Sequence, residues 1–319
     1  MAKQGKGRQV EVDGREIALT NLDKVLWPAR RGGRGGSKPA FTKGQAIDYY
    51  ARVADTILPH LAGRALTRVR FPDGVDGQRF FEKRAPKHTP DWVRTEPIEM
   101  GSVGVLDFIV SDDRATLIWL AQLAGLELHP SLALAEEPGR PTVLAFDLDP
   151  GAPATAVECA QVALRLRELF GELGLECFAK HSGSKGIQVY VPLNTEVDYE
   201  RTKSYARAVA QALERAEPDL VVSQQKKELR KGKVLVDWSQ NDYSKTTVAA
   251  YSLRCRERPW ASTPLRWEEV EALADDGDPE SVRFEAPELL ERVAEHGDLF
   301  APVLELEQRL PDFPDAEDA

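Results

Sequence analysis

Apolar and polar positions alternate with a period of two over residues 10–19, where Val10, Val12, Ile17 and Leu19 flank an Asp13-Gly14 turn, the mark of a hairpin. Residues 19–28, LTNLDKVLWP, predict a short turn capped by Thr20 or Asn21 and stopped by Pro28. In it Leu22, Val25 and Leu26 pack inward, and Asn21 and Lys24 stay outside as a donor pair. Helical spacing follows at 42–61, with Thr42 as cap, and at 111–128, closed by His129-Pro130. It returns at 155–173 before Gly174, at 199–215, and in acidic stretches at 267–273 and 287–295. Strand patterns fill 64–71, which carries Arg64, Arg68 and Arg70, and also 142–151, 176–180, 187–192 and 234–238. Strands interleaved with helices predict an α/β (α+β) chain with mixed central β-sheets and flanking helices. The expected layout is a disordered start at 1–9, one catalytic domain over 10–300 and an acidic tail at 301–319 with a disordered end. Within the domain, 10–140 forms an N-terminal part, 141–260 the central sheet and 261–300 the C-terminal helices.

The stretch 142–151, TVLAFDLDPG, breaks its own pattern. Asp147 and Asp149 stand two apart at the end of an apolar strand, so both carboxylates share one face while Phe146 and Leu148 take the other. Aligned acids repel each other and resist desolvation unless a cation lies between them, and a divalent metal is the natural counter-charge. The plainer reading is an exposed turn with one Asp capping the next helix. A second apolar strand, VLVDW, also ends in an acid, Asp237.

Charge is distributed unevenly. The net of −10 alone speaks against a polyanionic partner, but residues 1–90 carry a net of +9, residues 223–258 a net of +5 and residues 261–319 a net of −14. Local basic surface governs phosphate binding, so the two basic zones keep nucleic acid open as a partner. Three widely spaced cysteines without a CxxC pair argue against a disulfide framework or a zinc site. With no long apolar run and a polar N-terminus, a cytoplasmic chain without a membrane span is expected.

Several segments carry phosphate chemistry in outline. HSGSKG at 181–186 offers exposed amides, the hydroxyls of Ser182 and Ser184, and the charge of Lys185, although it lacks Walker A spacing and a strand follows it. QRFFEKRAPK at 78–87 interleaves Phe80 and Phe81 with cations, a pattern suited to base stacking, although at least one Phe is expected in the core. The basic glycine-rich loop 30–38, RRGGRGGSK, either touches phosphate or serves as a flexible linker, and 223–233, SQQKKELRKGK, is a basic loop running into the VLVDW strand. Arg254, Arg256 and Arg258 alternate along a segment read as extended, so they share a face. A lone histidine such as His129 is by itself a structural residue.

LTNLDKVLWP, FFEK, FDLDPG, HSGSKG, VDWSQN and YSLRCR occur in that order, and the chain resembles the polymerase domain of bacterial DNA ligase D and its stand-alone relatives. That family lies in the archaeo-eukaryotic primase superfamily, and the resemblance runs from about Val10 to Leu299. It implies the archaeo-eukaryotic primase-polymerase fold and a DNA-binding, template-directed nucleotidyltransferase for DNA repair. Such an enzyme extends primers at short gaps or broken ends, in non-homologous end joining or gap-filling excision repair, and favours ribonucleotides. It implies two divalent ions, Mn²⁺ or Mg²⁺, held by Asp147, Asp149 and Asp237, with an NTP or dNTP substrate. Ser182, Lys185 and Arg254 match triphosphate contacts, and His129 lies near the incoming nucleotide. Asn21 and Lys24 match residues that hold a downstream 5′-phosphate. Phe80 and Phe81 match template-stacking aromatics beside Lys83, and Arg230 matches a residue at the primer terminus or the synapsis of two ends. Many relatives have histidine where Gln188 stands, and the insert 30–38 is longer than usual. The KxDG ligase motif is missing, so a separate ATP-dependent ligase is expected as partner, with Ku a further candidate. A monomer near the nucleoid is expected. Primer synthesis, a non-catalytic DNA-end bridging module and a metal-dependent phosphoesterase are the competing functions.

Overall fold

The computed structural model describes residues 7–31 and 37–312, and the chain divides into two compact units. The first holds residues up to Pro130 together with Tyr251–Ala261 and Phe284–Gly297, and the second holds Ser131–Ala250, Ser262–Arg283 and the segment from Asp298 onward. Both are mixed α/β, as the alternation of patterns predicts.

In the first unit an antiparallel sheet runs in the order Gly125–Pro130, Ala65–Arg70, Val105–Val110, Thr95–Glu99, with Phe80–Glu82 also paired to Ala65–Arg70. The helix Lys43–Leu61 begins at Thr42, whose hydroxyl accepts from Gln45 N at 3.3 Å while the Gln45 side chain caps in return. Its buried side includes Tyr49, Tyr50, Val53 and Ile57. Tyr50 donates to the Leu126 carbonyl and Tyr49 to the Tyr251 carbonyl at 2.6 Å, so two core tyrosines keep hydrogen-bond partners.

Several expectations change here. The helix read at 111–128 spans only Arg114–Gln122; Ala124 turns the chain at φ 56° and Gly125–Pro130 forms a strand, so His129 lies on a sheet. Its apolar residues Leu126 and Leu128 alternate with Glu127 and His129, a period of two that the preceding helical run concealed. Residues 25–27 form a strand in which Leu26 and Trp27 are buried and Val25 is exposed. The arginine segment turns after Cys255, so Arg258 leaves the shared face and pairs with Glu285 at 2.5 Å. A hairpin strand already starts at Arg8, before the expected boundary, whereas 1–6 and the centre of the glycine-rich insert, 32–36, lie outside the described residues. Phe80 and Phe81 are both exposed, contrary to the expectation that one joins the core.

The second unit is organised on a six-stranded sheet in the order Val221–Val222, Val234–Asp237, Val143–Pro150, Ile187–Pro192, Phe178–His181, Thr263–Leu265. Only the first pair is parallel. Val143–Pro150 is central and apolar for most of its length, which suits burial on both faces. The helix Ala156–Glu172 covers one face, with Phe170 against Phe146 at 5.7 Å and the Cys159 thiol donating to the Leu148 carbonyl at 3.3 Å. The expected acidic tail is ordered as far as residue 312 and includes the short helix Pro302–Glu305; residues 313–319 lie outside the described ones. Gln308 fastens this segment to the sheet: its backbone N–H reaches the Leu193 carbonyl at 2.8 Å, and its side chain bonds both Glu176 and the Pro192 carbonyl.

Candidate active site

Asp147 and Asp237 are direct partners in the antiparallel pairing of Val143–Pro150 with Val234–Asp237, so their side chains share a face. Asp149, two residues on, lies on that face as well. Register thus brings together three acids that are 90 residues apart at the extremes of the sequence. Burial first, then the charges of Asp149 and Asp237, push the Asp147 carboxyl up to about 7, while Gln188 and Lys180 act in the opposite direction. Such a cluster suits a hard divalent cation, because cation binding offsets both the repulsion and the desolvation.

Asp237 is held from its own side. One oxygen accepts from Gln225 Nε2 at 2.8 Å, Ser239 N at 2.9 Å and Ser239 Oγ at 2.6 Å, and the other from Gln240 Nε2 at 2.9 Å. Among the described residues no set of three His, Cys, Asp or Glu stands ready to coordinate a metal, consistent with Asp237 bonding to these donors. Asn241 fixes the turn that follows by accepting from Ala145 N at 2.9 Å and donating to Ala145 O at 2.7 Å, which continues the ladder where the strand has ended. The motif VDWSQN thereby sets both the acid and the turn that positions it.

The turn 182–186 is pressed onto the strand of the acids. A Cβ on Gly186 would lie 2.0 Å from the Leu148 carbonyl oxygen, so only glycine lets the two backbones approach this closely. Ser182 N donates to Gly186 O at 2.9 Å and Ser184 N to Ser182 Oγ at 3.3 Å, leaving Ser182 buried and the Lys185 side chain exposed. On the other side of the acids a Cβ on Gly151 would lie 1.8 Å from the Arg230 carbonyl oxygen, which ties the basic loop to the end of the same strand. Arg230 donates to the Gln225 carbonyl at 2.6 Å and to its side-chain oxygen at 3.0 Å.

The first unit holds the remaining predicted residues. His129 and Arg254 meet at Glu127, a buried carboxylate that bonds His129 Nε2 at 3.1 Å and Cys255 N at 2.8 Å and lies 3.6 Å from Arg254 Nη1. Although burial alone would raise it, these partners bring the Glu127 carboxyl down to about 2. The Arg254 Nε is buried and makes no hydrogen bond among the described residues, which leaves donor capacity for an anion. Asn21 adopts φ 54°, and Lys24 pairs with Asp73 at 2.8 Å in an exposed bridge of little energetic weight. Lys43 is close enough to Lys24 that, after burial, it helps lower the Lys43 ammonium to about 8. Phe80–Glu82 is pinned by Glu82, which takes Arg68 at 2.6 Å and Arg70 at 3.0 Å, while Phe81 stands 61% exposed; Lys83 follows, half-buried.

A family model described as LigD, primase-polymerase domain, matches residues 42–300. The chain belongs to that family. It is therefore a primase-polymerase domain with the nucleotidyltransferase chemistry of its class. The multifunctional non-homologous end joining protein LigD of Mycolicibacterium smegmatis is 40% identical over 289 residues, 90% of this chain and 36% of that protein. The bifunctional LigD of Bacillus subtilis is 32% identical over 81% of this chain and 40% of its own length. The chain thus spans a little over a third of these relatives. The polymerase domain of Mycobacterium tuberculosis ligase D, solved in complex with DNA, superposes with a TM-score of 0.80 at 39% identity, covering 90% of this chain and 98% of that one.

Glu127, Lys43 and Lys180 escape the sequence reading, and Gln188 enters it only as a departure from the resemblance. Alternation with His129 marks Glu127, and Lys43 stands next to the Thr42 cap. No local signal marks Lys180, whose part is set by cross-strand register.

Proposed function

We propose that this domain extends DNA primers at short gaps or broken ends carrying a downstream 5′-phosphate, accepts ribonucleotides readily and works with two divalent ions. The observation that supports it most is the alignment of Asp147, Asp149 and Asp237 on one sheet face beside the 182–186 turn. These acids would hold Mn²⁺ or Mg²⁺, which when bound lowers the pKa of the primer hydroxyl and neutralises charge on the triphosphate. Ser182 and Lys185 offer a hydroxyl and an ammonium to the triphosphate. Arg254, with its buried unbonded Nε, and His129 serve the incoming nucleotide, held in place by Glu127. Asn21, Lys24 and the neighbouring Lys43 make a cationic patch for the 5′-phosphate, exposed Phe80 and Phe81 stack on template bases beside Lys83, and Arg230 meets the primer end.

The pathway we propose is end joining, in keeping with the names of the relatives, with a ligase and Ku as partners, a monomeric state and a place at the nucleoid in the cytoplasm. Among the described residues no helix is long and apolar enough to cross a membrane. The decisive assay is extension of a 5′-phosphorylated gapped duplex with ribo- and deoxynucleotides, in Mn²⁺ and in Mg²⁺. Asp147→Ala and Asp237→Ala should each abolish extension while DNA binding persists; extension by either variant refutes the assignment of the acids.

A further inference from the structure

Four strands of the second unit place Lys180, Gln188, Asp147 and Asp237 in one line across the sheet, each a register partner of the next. Hydrogen bonds run along this line. Lys180 Nζ donates to Gln188 Oε1, and Gln188 Nε2 donates to Asp147 Oδ1 at 3.1 Å. Lys180 is 1% exposed, and its ammonium also reaches the Val248 carbonyl at 2.9 Å and Ser262 Oγ at 3.0 Å. Each bond in the series has a fixed sense: an ammonium only donates, so it selects the oxygen end of the amide and turns the NH₂ end toward the carboxylate. Released from Lys180, the amide could turn its oxygen toward Asp147 and repel it. The buried cation also lies on the side of Asp147 opposite Asp237, where it counters the crowding of negative charge.

We infer that Lys180 is a positioning residue that acts on Asp147 through Gln188, holding the carboxylate oriented for a divalent cation. This rests on Asp147 being a metal ligand, and it gives Gln188 the part of linking the buried lysine to the carboxylate. Outer partners of metal ligands typically change affinity 10- to 100-fold when removed.

The test is Mn²⁺ binding to the full chain without DNA or nucleotide, read from the free-Mn²⁺ electron paramagnetic resonance signal, with thermal melting alongside. Lys180→Met and Gln188→Leu should each weaken Mn²⁺ binding about 10- to 100-fold. The double variant should be no weaker than the worse single one, since both interrupt one series of bonds. Gln188→His should keep wild-type affinity, because a neutral imidazole also offers one donor and one acceptor. Affinity within about threefold of wild type in Lys180→Met and Gln188→Leu, or fully additive losses in the double variant, overturns the inference. Should Lys180→Met fail to fold, the contrast of Gln188→Leu with Gln188→His decides. Asp147→Asn separates the two readings. If it abolishes Mn²⁺ binding but the wild type extends no primer, the proposed function falls and the relay stands; if it leaves Mn²⁺ binding intact, the relay falls.

Discussion

At Asp147 burial, and after it the charges of Asp149 and Asp237, raise the carboxyl to about 7 from an ordinary value near 4, which favours a retained proton. A metal must displace that proton, so Mn²⁺ affinity measured by calorimetry should climb as pH rises from 5 to about 7 and then level off. The same shift makes Asp147 hold a proton in the native metal-free chain that it gives up in the unfolded one between about 4 and 7. Its contribution to stability should fall as pH rises through that window and return when Mn²⁺ is added, a contrast visible in paired thermal melts with and without the ion. Glu127 behaves in the opposite sense: its carboxyl is brought to about 2, so its contribution is intact above the ordinary carboxylate range and lost as pH drops toward 2. Removing it leaves the mostly buried Arg254 without its partner, and Glu127→Ala should cost about 3–5 kcal/mol in urea titration. Glu127→Gln should spare most of that stability while raising KM for the nucleotide more than it lowers kcat. Asp147, Asp149 and Asp237 were legible in the sequence because acids ending apolar strands are conspicuous. Lys180 was not, since a buried lysine inside a strand gives no local sign of the neighbour that neutralises it.

Elements show where short-range patterns lose to tertiary ones. The apolar run at 111–128 fits helical spacing throughout, yet the helix stops at Gln122, and the sheet claims residues 125–130 because pairing with Ala65–Arg70 satisfies backbone groups that a longer helix would satisfy otherwise. The helices after Thr42 and Thr155 each begin on a capping box, Thr followed three residues later by Gln or Glu, a signature contained within four residues. Phe80 and Phe81 stand exposed on a strand that Arg68 and Arg70 hold through Glu82, a pairing across strands that sequence spacing does not reveal. Gly186 gives the sharpest element-level prediction. Gly186→Ala would force a Cβ into the Leu148 carbonyl, so it should lower unfolding free energy by about 1–3 kcal/mol and reduce extension, with the loss of stability read in urea and the loss of rate in the gap-filling assay.

Across the whole molecule, charge of opposite sign separates along the chain: residues 1–90 carry a net of +9 although the total is −10. DNA affinity should therefore fall steeply with salt despite the acidic total, and Lys24→Ala should reduce the slope of log affinity against log salt by about one, measured by fluorescence anisotropy on phosphorylated gaps. An unchanged slope would remove Lys24 from the phosphate patch. Gln308 closes a corner of the six-stranded sheet with both its backbone and its side chain. Shortening the polypeptide to residue 306 would unbuckle that corner and leave the end of Ile187–Pro192, two strands from Asp237, without its clasp. A deletion far from every acid would then loosen the frame that keeps them in line.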